Sequence, residues 1–388
     1  MALKSSVAVS VFSKILFLSI NLVTGVLIAR NLSLSERGIG GTLFSLAAIF
    51  SVWLSTDQNE SSLRNPLLQD KIEINIPEQL TLMTILVVIA ISLHLQVNLP
   101  WMYLMILFSF YNSRLLNQTF NSKGMIIDRF LQLIHLIALL ILIIFLSIFK
   151  LLDLNHWIAI SLIVEIIFSI VLVKISRKTF PYFQISYSFE SLKKKLDYNN
   201  LFYVTDMLGD RIVILILAFA LSLPDVGILS IAMSFVLIIG IPFTASYPYP
   251  IKHARDIRIR LQALGGKAYA CFFFAGLSYA LICIWGIIEF TPLVYGIKYS
   301  FISKLAVTIV FAGFFLSLTK LLSSIRRGLS RDFSGNKLNF LAVALSSIIA
   351  VSLRELVNPL QLLFTCLGIS NMCISLYLFH GIRNKEMI

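Results

Sequence analysis

Charge is scarce in this 388-residue chain. Only 13% of its residues are Asp, Glu, Lys or Arg, against roughly 25% in an ordinary soluble domain. Cysteine is equally sparse: Cys271, Cys283, Cys366 and Cys373 all fall inside apolar runs with no close CxxC pair. That spacing argues against a metal or redox site and for cysteine used as a small hydrophobe. The usual enzyme signatures are missing as well. There is no zinc-ligand pattern, no GxSxG and no pair of carboxylates in an external loop. Gly265-Gly266-Lys267 is followed by Ala268 rather than Ser or Thr, so it is no phosphate-cradling loop.

What the chain has instead is apolar length. It is 58% hydrophobic, and apolar runs of seventeen or more recur throughout, the pattern of a polytopic helical membrane protein. Helices satisfy their own backbone groups in lipid, whereas a membrane barrel would show short alternating segments. The run Val7–Ala29 is long for a cleaved signal and ends at Arg30, so it reads as a retained first span. Twelve spans are predicted, near 9–29, 39–55, 80–97, 100–117, 130–149, 156–174, 199–222, 226–247, 268–289, 301–321, 338–353 and 358–379. With both termini placed inside, 25 Lys and Arg fall on the inner side and 6 on the outer, with Arg211 left over. This bias supports the even count and cytoplasmic termini. It also accounts for the net charge of +13 by topology rather than by nucleic-acid binding.

The two halves echo each other. Leu32-Ser-Leu-Ser-Glu-Arg-Gly38 aligns with Leu221-Ser-Leu-Pro-Asp-Val-Gly227 at an offset of 189, and Arg114-Leu-Leu matches Lys320-Leu-Leu at the inner end of the fourth span of each half. Six spans per half give both halves one orientation, so the repeat is parallel, a transporter architecture with substrate held between the halves. The expected organisation is an all-α integral membrane protein: a bundle over 1–174, a cytoplasmic linker over 175–198 and a second bundle over 199–388, around a central cavity. The run Lys193-Lys194-Lys195 in the linker reads as a topology determinant that could also meet anionic lipid headgroups.

The residues that break the apolar pattern are the candidates for chemistry. Asp206, Asp210 and Arg211 lie in the seventh span. At 1.5 Å per residue, Asp210 and Arg211 sit roughly 16 Å along it, near the middle of a core about 30 Å thick. Asn199, Asp206 and Asp210 share a stripe. Arg211 has no acid four residues away on either side, so its partner is on another helix, in water or on a substrate. Charge at this depth faces a bundle interior or an aqueous cavity. Lys14, Asn21 and Gly25 make the corresponding stripe of the first span, and Asn21 aligns with Asp210. Lys14 is placed either to contact phosphate or to snorkel to the inner surface. Glu165, roughly 14 Å into the sixth span, is a coupling-ion site or the partner of a base. His94 and His135 read as hydrogen-bonded packing residues, and Gly38, Gly40, Gly41 and Ser45 as a close-packing patch opening the second span. Pro242, Pro248 and Pro250 mark the end of the eighth span or a hinge.

Four pieces carry a family resemblance: Ala29-Arg-Asn-Leu-Ser-Leu-Ser-Glu-Arg-Gly38 leaving the first span, Asp210-Arg211 in the seventh, Leu223-Pro-Asp-Val-Gly227 after it, and Val294-Tyr-Gly-Ile-Lys-Tyr299 before the tenth. In this order and spacing the chain resembles a Wzx-type polysaccharide flippase. That family belongs to the superfamily that also holds multidrug and toxic-compound exporters (MATE) and lipid II flippases. It departs from the pattern in Ile228-Leu229, where an aromatic is usual, and in the acidic Asp57-Gln-Asn-Glu60.

The resemblance implies MATE-like bundles in the bacterial inner membrane, working as a monomer without a cofactor, and alternating access. Its substrate would be an undecaprenyl-diphosphate-linked oligosaccharide, with membrane lipids and polysaccharide-assembly proteins as partners. On that reading Arg211, Lys14 and Asn21 bind substrate, while Asp206, Asp210 and Glu165 couple H+ or Na+. A cation antiporter of the same fold, a glycan polymerase or ligase, and a non-transporting scaffold are the rival readings. The short outer loops argue against the enzyme and the mid-bilayer charges against the scaffold.

Overall fold

The computed structural model describes residues 2–64, 71–92, 99–123, 125–176, 182–190, 193, 209, 211–244, 254–330 and 334–384. Long helices follow one another in the order the apolar runs dictate. They are α1 (Ala2–Asn31), α2 (Leu34–Arg64), α3 (Ile76–Ser92), α4 (Leu99–Lys123), α5 (Met125–Ile148) and α6 (Leu154–Ser176). Then come α7 (described over 211–218), α8 (Leu223–Ile239), α9 (Ala254–Phe290), α10 (Ala306–Ser330), α11 (Ser334–Ser352) and α12 (Pro359–Asn384). Each overlaps one expected span. Among the described residues, five helices are long and apolar enough to cross a membrane, and four shorter apolar helices accompany them.

By its contacts the chain groups into two compact units, residues 20–219 and residues 1–19 with 220–388. This division differs from the 1–174 and 199–388 bundles of the repeat reading. It places the described part of α7 with α2–α6.

In the 20–219 unit, α4 packs against α2, α5 and α6. The core gathers Leu43, Leu46, Met102, Ile106, Ile143 and Ile158, with Leu215 of α7 against it. The small-residue patch at the start of α2 allows the close approach. Gly40 faces Trp157 of α6, whose indole stacks on Phe44 at 4.4 Å and lies 5.3 Å from the Arg37 guanidinium. The same unit contains something the polar stretches 56–79 and 175–198 were not expected to hold, a two-stranded parallel sheet. β1 (Lys71–Asn75) pairs with β2 (Tyr182–Ser186) in the register Lys71↔Tyr182 to Asn75↔Ser186. Asn75, 2% exposed, extends the ladder with its side chain. Its Nδ2 donates to the Ser188 carbonyl at 2.6 Å, and its Oδ1 accepts from the Ser188 N–H at 3.2 Å.

In the other unit α10 is central, packing on α8, α9, α11 and α12. Glycines again mark the close approaches, Gly276 and Gly368 each meeting a phenylalanine ring of α10. α8 stops at Gly240, whose N–H reaches back to Val236 and Leu237. Pro242 follows in the short helix Ile241–Thr244, while Pro248 and Pro250 lie outside the described residues. Before α10, Gly296 takes φ +100°, a left-handed conformation that suits glycine. That bend lets Tyr299 bury completely, at 0% exposure, against Tyr295 at 6.1 Å.

The internal echo has a structural meaning. Ser33 and Glu36 form a capping box at the start of α2: Ser33 N–H donates to Glu36 Oε2 at 2.8 Å and Glu36 N–H to Ser33 Oγ at 3.2 Å. Ser222 caps α8 in the same way, accepting from the Asp225 N–H at 3.4 Å, while its hydroxyl donates to Asp225 Oδ2 at 2.5 Å. Both pairs stand at the 189-residue offset.

Candidate functional site

The site grows from the start of α6. After α5, Lys150 turns the chain at φ 55°. Asp153 then accepts the His156 N–H at 2.8 Å and starts α6 as an N-cap. Twelve residues on from Asp153, Glu165 falls on one stripe with Ser161 and Ser169, four apart in each direction. α4 contributes Met105 and Ser109 from one face, and α5 contributes His135 and Leu139. These stripes meet around a cavity of about 240 Å³. It is closed on the α2 side by Phe44, Ala47 and Ala48, and Arg211 of α7 lines it too.

The polar groups are tied together. Asn112, 3% exposed, donates from Nδ2 to Glu165 Oε2 at 2.5 Å and to the Glu165 carbonyl at 2.9 Å. Ser169, 4% exposed, donates to Asn112 Oδ1 at 2.7 Å, with the Glu165 carbonyl 2.9 Å away as a second acceptor. His135 Nε2 lies 3.6 Å from Glu165 Oε1, an ion pair whenever the imidazole is protonated. Its ring tilts against Phe168 at 4.6 Å.

The energies say what this network is for. Interhelical hydrogen bonds in membrane proteins contribute about 0.6 kcal/mol on average, too little to explain building a carboxyl, an imidazole and a guanidinium into one apolar cavity. Stripping the partners from a buried charge costs about 3–5 kcal/mol. The bonds therefore serve to hold a costly group in place.

Of the residues singled out in the sequence, the structure brings Arg211 and Glu165 to one cavity. Asn21 is exposed on α1 and is not part of its lining. Lys14 is on α1 with its side chain outside the described residues, and Asp206, Asp210 and His94 lie outside them altogether. His135, read as a packing residue, does pack on Phe168 but also faces Glu165. Asn112 and Ser169 went unnoticed because neutral polar residues barely disturb hydropathy. The Ser161, Glu165, Ser169 spacing is the signal that would have found one of them. Among the described residues no three His, Cys, Asp or Glu side chains converge as a metal site.

No family model and no curated protein matches the sequence. Solved structures do. An inward-facing multidrug resistance MATE family transporter of the MOP superfamily aligns over 94% of this chain and 93% of its own, at 14% identity and a TM-score of 0.64. The lipid II flippase MurJ in an inward closed conformation aligns over 98% of this chain and 87% of its own, at 15% identity and a TM-score of 0.65. The chain shares the fold of these two structures, a mainly helical, multi-pass membrane architecture of the MATE-like kind. At these identities the likeness is one of fold, and the cavity described above is this chain's own.

Proposed function

We propose that this MOP-fold protein is a flippase. It moves undecaprenyl-diphosphate-linked oligosaccharide repeat units across the bacterial inner membrane by alternating access, with both termini cytoplasmic. The observation that carries the reading is Arg211 on the wall of a cavity otherwise lined mostly by apolar side chains. A guanidinium there suits a diphosphate, which it can bind through paired N–H donors. The isoprenoid tail stays in lipid while the charged headgroup takes the polar route. Lys14 and Asn21 join Arg211 as substrate ligands in this scheme. Glu165, with Asp206 and Asp210, couples an H+ or Na+ gradient. The bundles 1–174 and 199–388 act as a monomer, in the company of membrane lipids and polysaccharide-assembly proteins.

The test is surface glycan in a strain that carries only the mutated copy. Arg211→Ala should abolish glycan display while membrane abundance stays normal, and Glu165→Gln should reduce it with an altered pH or sodium dependence. Normal display in Arg211→Ala would remove the anion-binding role and with it the main support for the reading.

Glu165 in the same cavity favours a second reading, antiport of a cationic small molecule by the same fold. Increased drug susceptibility on deletion, with surface glycan intact, would select it.

A further inference from the structure

The orientation of the Asn112 amide is fixed by what surrounds it. One end of the amide lies 2.9 Å from the backbone carbonyl of Glu165. A carbonyl oxygen only accepts, so the end facing it is the NH2 group. That same nitrogen reaches Glu165 Oε2 at 2.5 Å. The opposite end, Oδ1, accepts from the Ser169 hydroxyl at 2.7 Å, which braces the amide from behind. Asn112 and Ser169 are 3% and 4% exposed, so the amide and the hydroxyl are largely withdrawn from solvent.

The two oxygens of Glu165 are therefore inequivalent. Oε2 receives the Asn112 N–H, so a proton placed on it would share that oxygen with a donor already in place, while Oε1 accepts no hydrogen bond from Asn112. Oε1 faces His135 Nε2 at 3.6 Å, and His135 and Glu165 both line the cavity. Among the described residues, the titratable and charged groups that line the cavity with the carboxyl are His135 from α5 and Arg211 from α7. α4 presents the neutral Asn112 and α2 only Phe44, Ala47 and Ala48.

We infer that Asn112, braced by Ser169, is a positioning residue that reserves Oε2 of Glu165 as an acceptor, so that proton exchange with the cavity passes through Oε1 beside His135. On uptake, the proton moves from a cavity water or from the imidazolium Nε2 to Oε1, and the carboxylate loses its charge. On release the proton returns by the same route and the charge is restored. This rests on the reading of Glu165 as a coupling acid.

Dicyclohexylcarbodiimide, which modifies protonated carboxyls in apolar surroundings, tests it without any knowledge of the transported molecule. The purified full-length protein in detergent is labelled and modification at position 165 is read by peptide mass spectrometry, with Glu165→Gln as the blank. Removing a charge-assisted donor from a carboxylate favours its neutral form. Asn112→Leu should therefore raise the labelling rate at about pH 7.5, by roughly tenfold for the loss of one hydrogen bond to a charged group. Ser169→Ala should raise it by a smaller factor, and Ser169→Thr, which keeps the hydroxyl, should restore the original rate. In acid, where every carboxyl is protonated, the rates should converge.

A monodisperse Asn112→Leu protein that labels at the original rate would overturn the inference. So would a rate ratio that stays constant at every pH, since that reports an opened cavity rather than a changed carboxyl. If Asn112→Leu does not purify as a monodisperse protein, Ser169→Ala against Ser169→Thr makes the same comparison, and equal rates for the two would overturn it. Unimpaired glycan display in Glu165→Gln would remove the coupling role and leave the labelling result standing, so the two failures are distinguishable.

Discussion

Gly40 of α2 and Trp157 of α6 occupy a space that admits only one side chain. A Cβ on Gly40 would run into Cζ3 of the indole and stand 3.0 Å from its Cε3 and Cη2 atoms. Phe44, stacked at 4.4 Å, limits the room for the ring to retreat. Gly25, in the interior of α1, is the opposite case, with nothing within 4 Å of an added Cβ.

The contrast gives a first prediction. Gly40→Val should lower the thermal midpoint of the purified protein, since overpacking of this kind costs about 1–3 kcal/mol. Gly25→Ala should hold or raise it, because alanine in a helix is favoured over glycine by up to about 1 kcal/mol. A Gly40→Val protein as stable as its parent would mean that α2 and α6 do not meet here.

A second prediction concerns pH at the start of α6. Burial by itself pushes the Asp153 carboxyl up. Hydrogen bonds from the His156 backbone and side chain, together with its charge, outweigh burial and hold the carboxyl below its usual value of 3.8. A carboxyl depressed by folding adds stability above its unfolded pKa, and that stability is lost as the pH falls through the folded value. The stability difference between the parent and Asp153→Ala should therefore shrink as the pH falls below about 4. The group is half exposed, at 50%, so the difference will be small. A gap that widened in acid would contradict the cap.

A third prediction tests the sheet. Glu73 and Gln184 are register partners, and neighbouring strands lie about 4.8 Å apart, within the roughly 4.4–6.8 Å that a disulfide spans. In a background with the four native cysteines replaced, Glu73→Cys with Gln184→Cys should cross-link on mild oxidation. Glu73→Cys with Phe183→Cys, one residue out of register and on opposite faces, should not. Equal cross-linking in both pairs would rule out the register.

Much of the architecture was legible because a membrane demands it. Apolar runs of fixed length have one use in lipid, and the helices fall where those runs are. The repeat was legible as letters, and the structure adds its cause: Ser33 with Glu36 and Ser222 with Asp225 perform the same capping chemistry. The sheet was hidden by distance rather than by composition. Lys71-Ile-Glu-Ile-Asn75 alternates as a strand should, but five residues in a polar loop cannot announce a partner that comes so much later in the chain. At the site, Arg211 and Glu165 stood out because charge is rare in a span. Asn112 and Ser169 did not, since their role appears only when α4 is laid beside α6.

The sheet also bears on how the protein is made. β1 leaves the ribosome with nothing to pair with, because α3 to α6 must be synthesised before β2 follows. At about 5–20 residues per second, the roughly 100 residues in between take on the order of 5–20 seconds. During that interval the Lys71–Asn75 backbone has only water for its hydrogen bonds. Parallel pairing cannot nucleate from a local turn, so the sheet closes only once six helices have been delivered. Its closure therefore waits on the first half of the chain, and the Asn75 side chain can bond Ser188 only after that half is made.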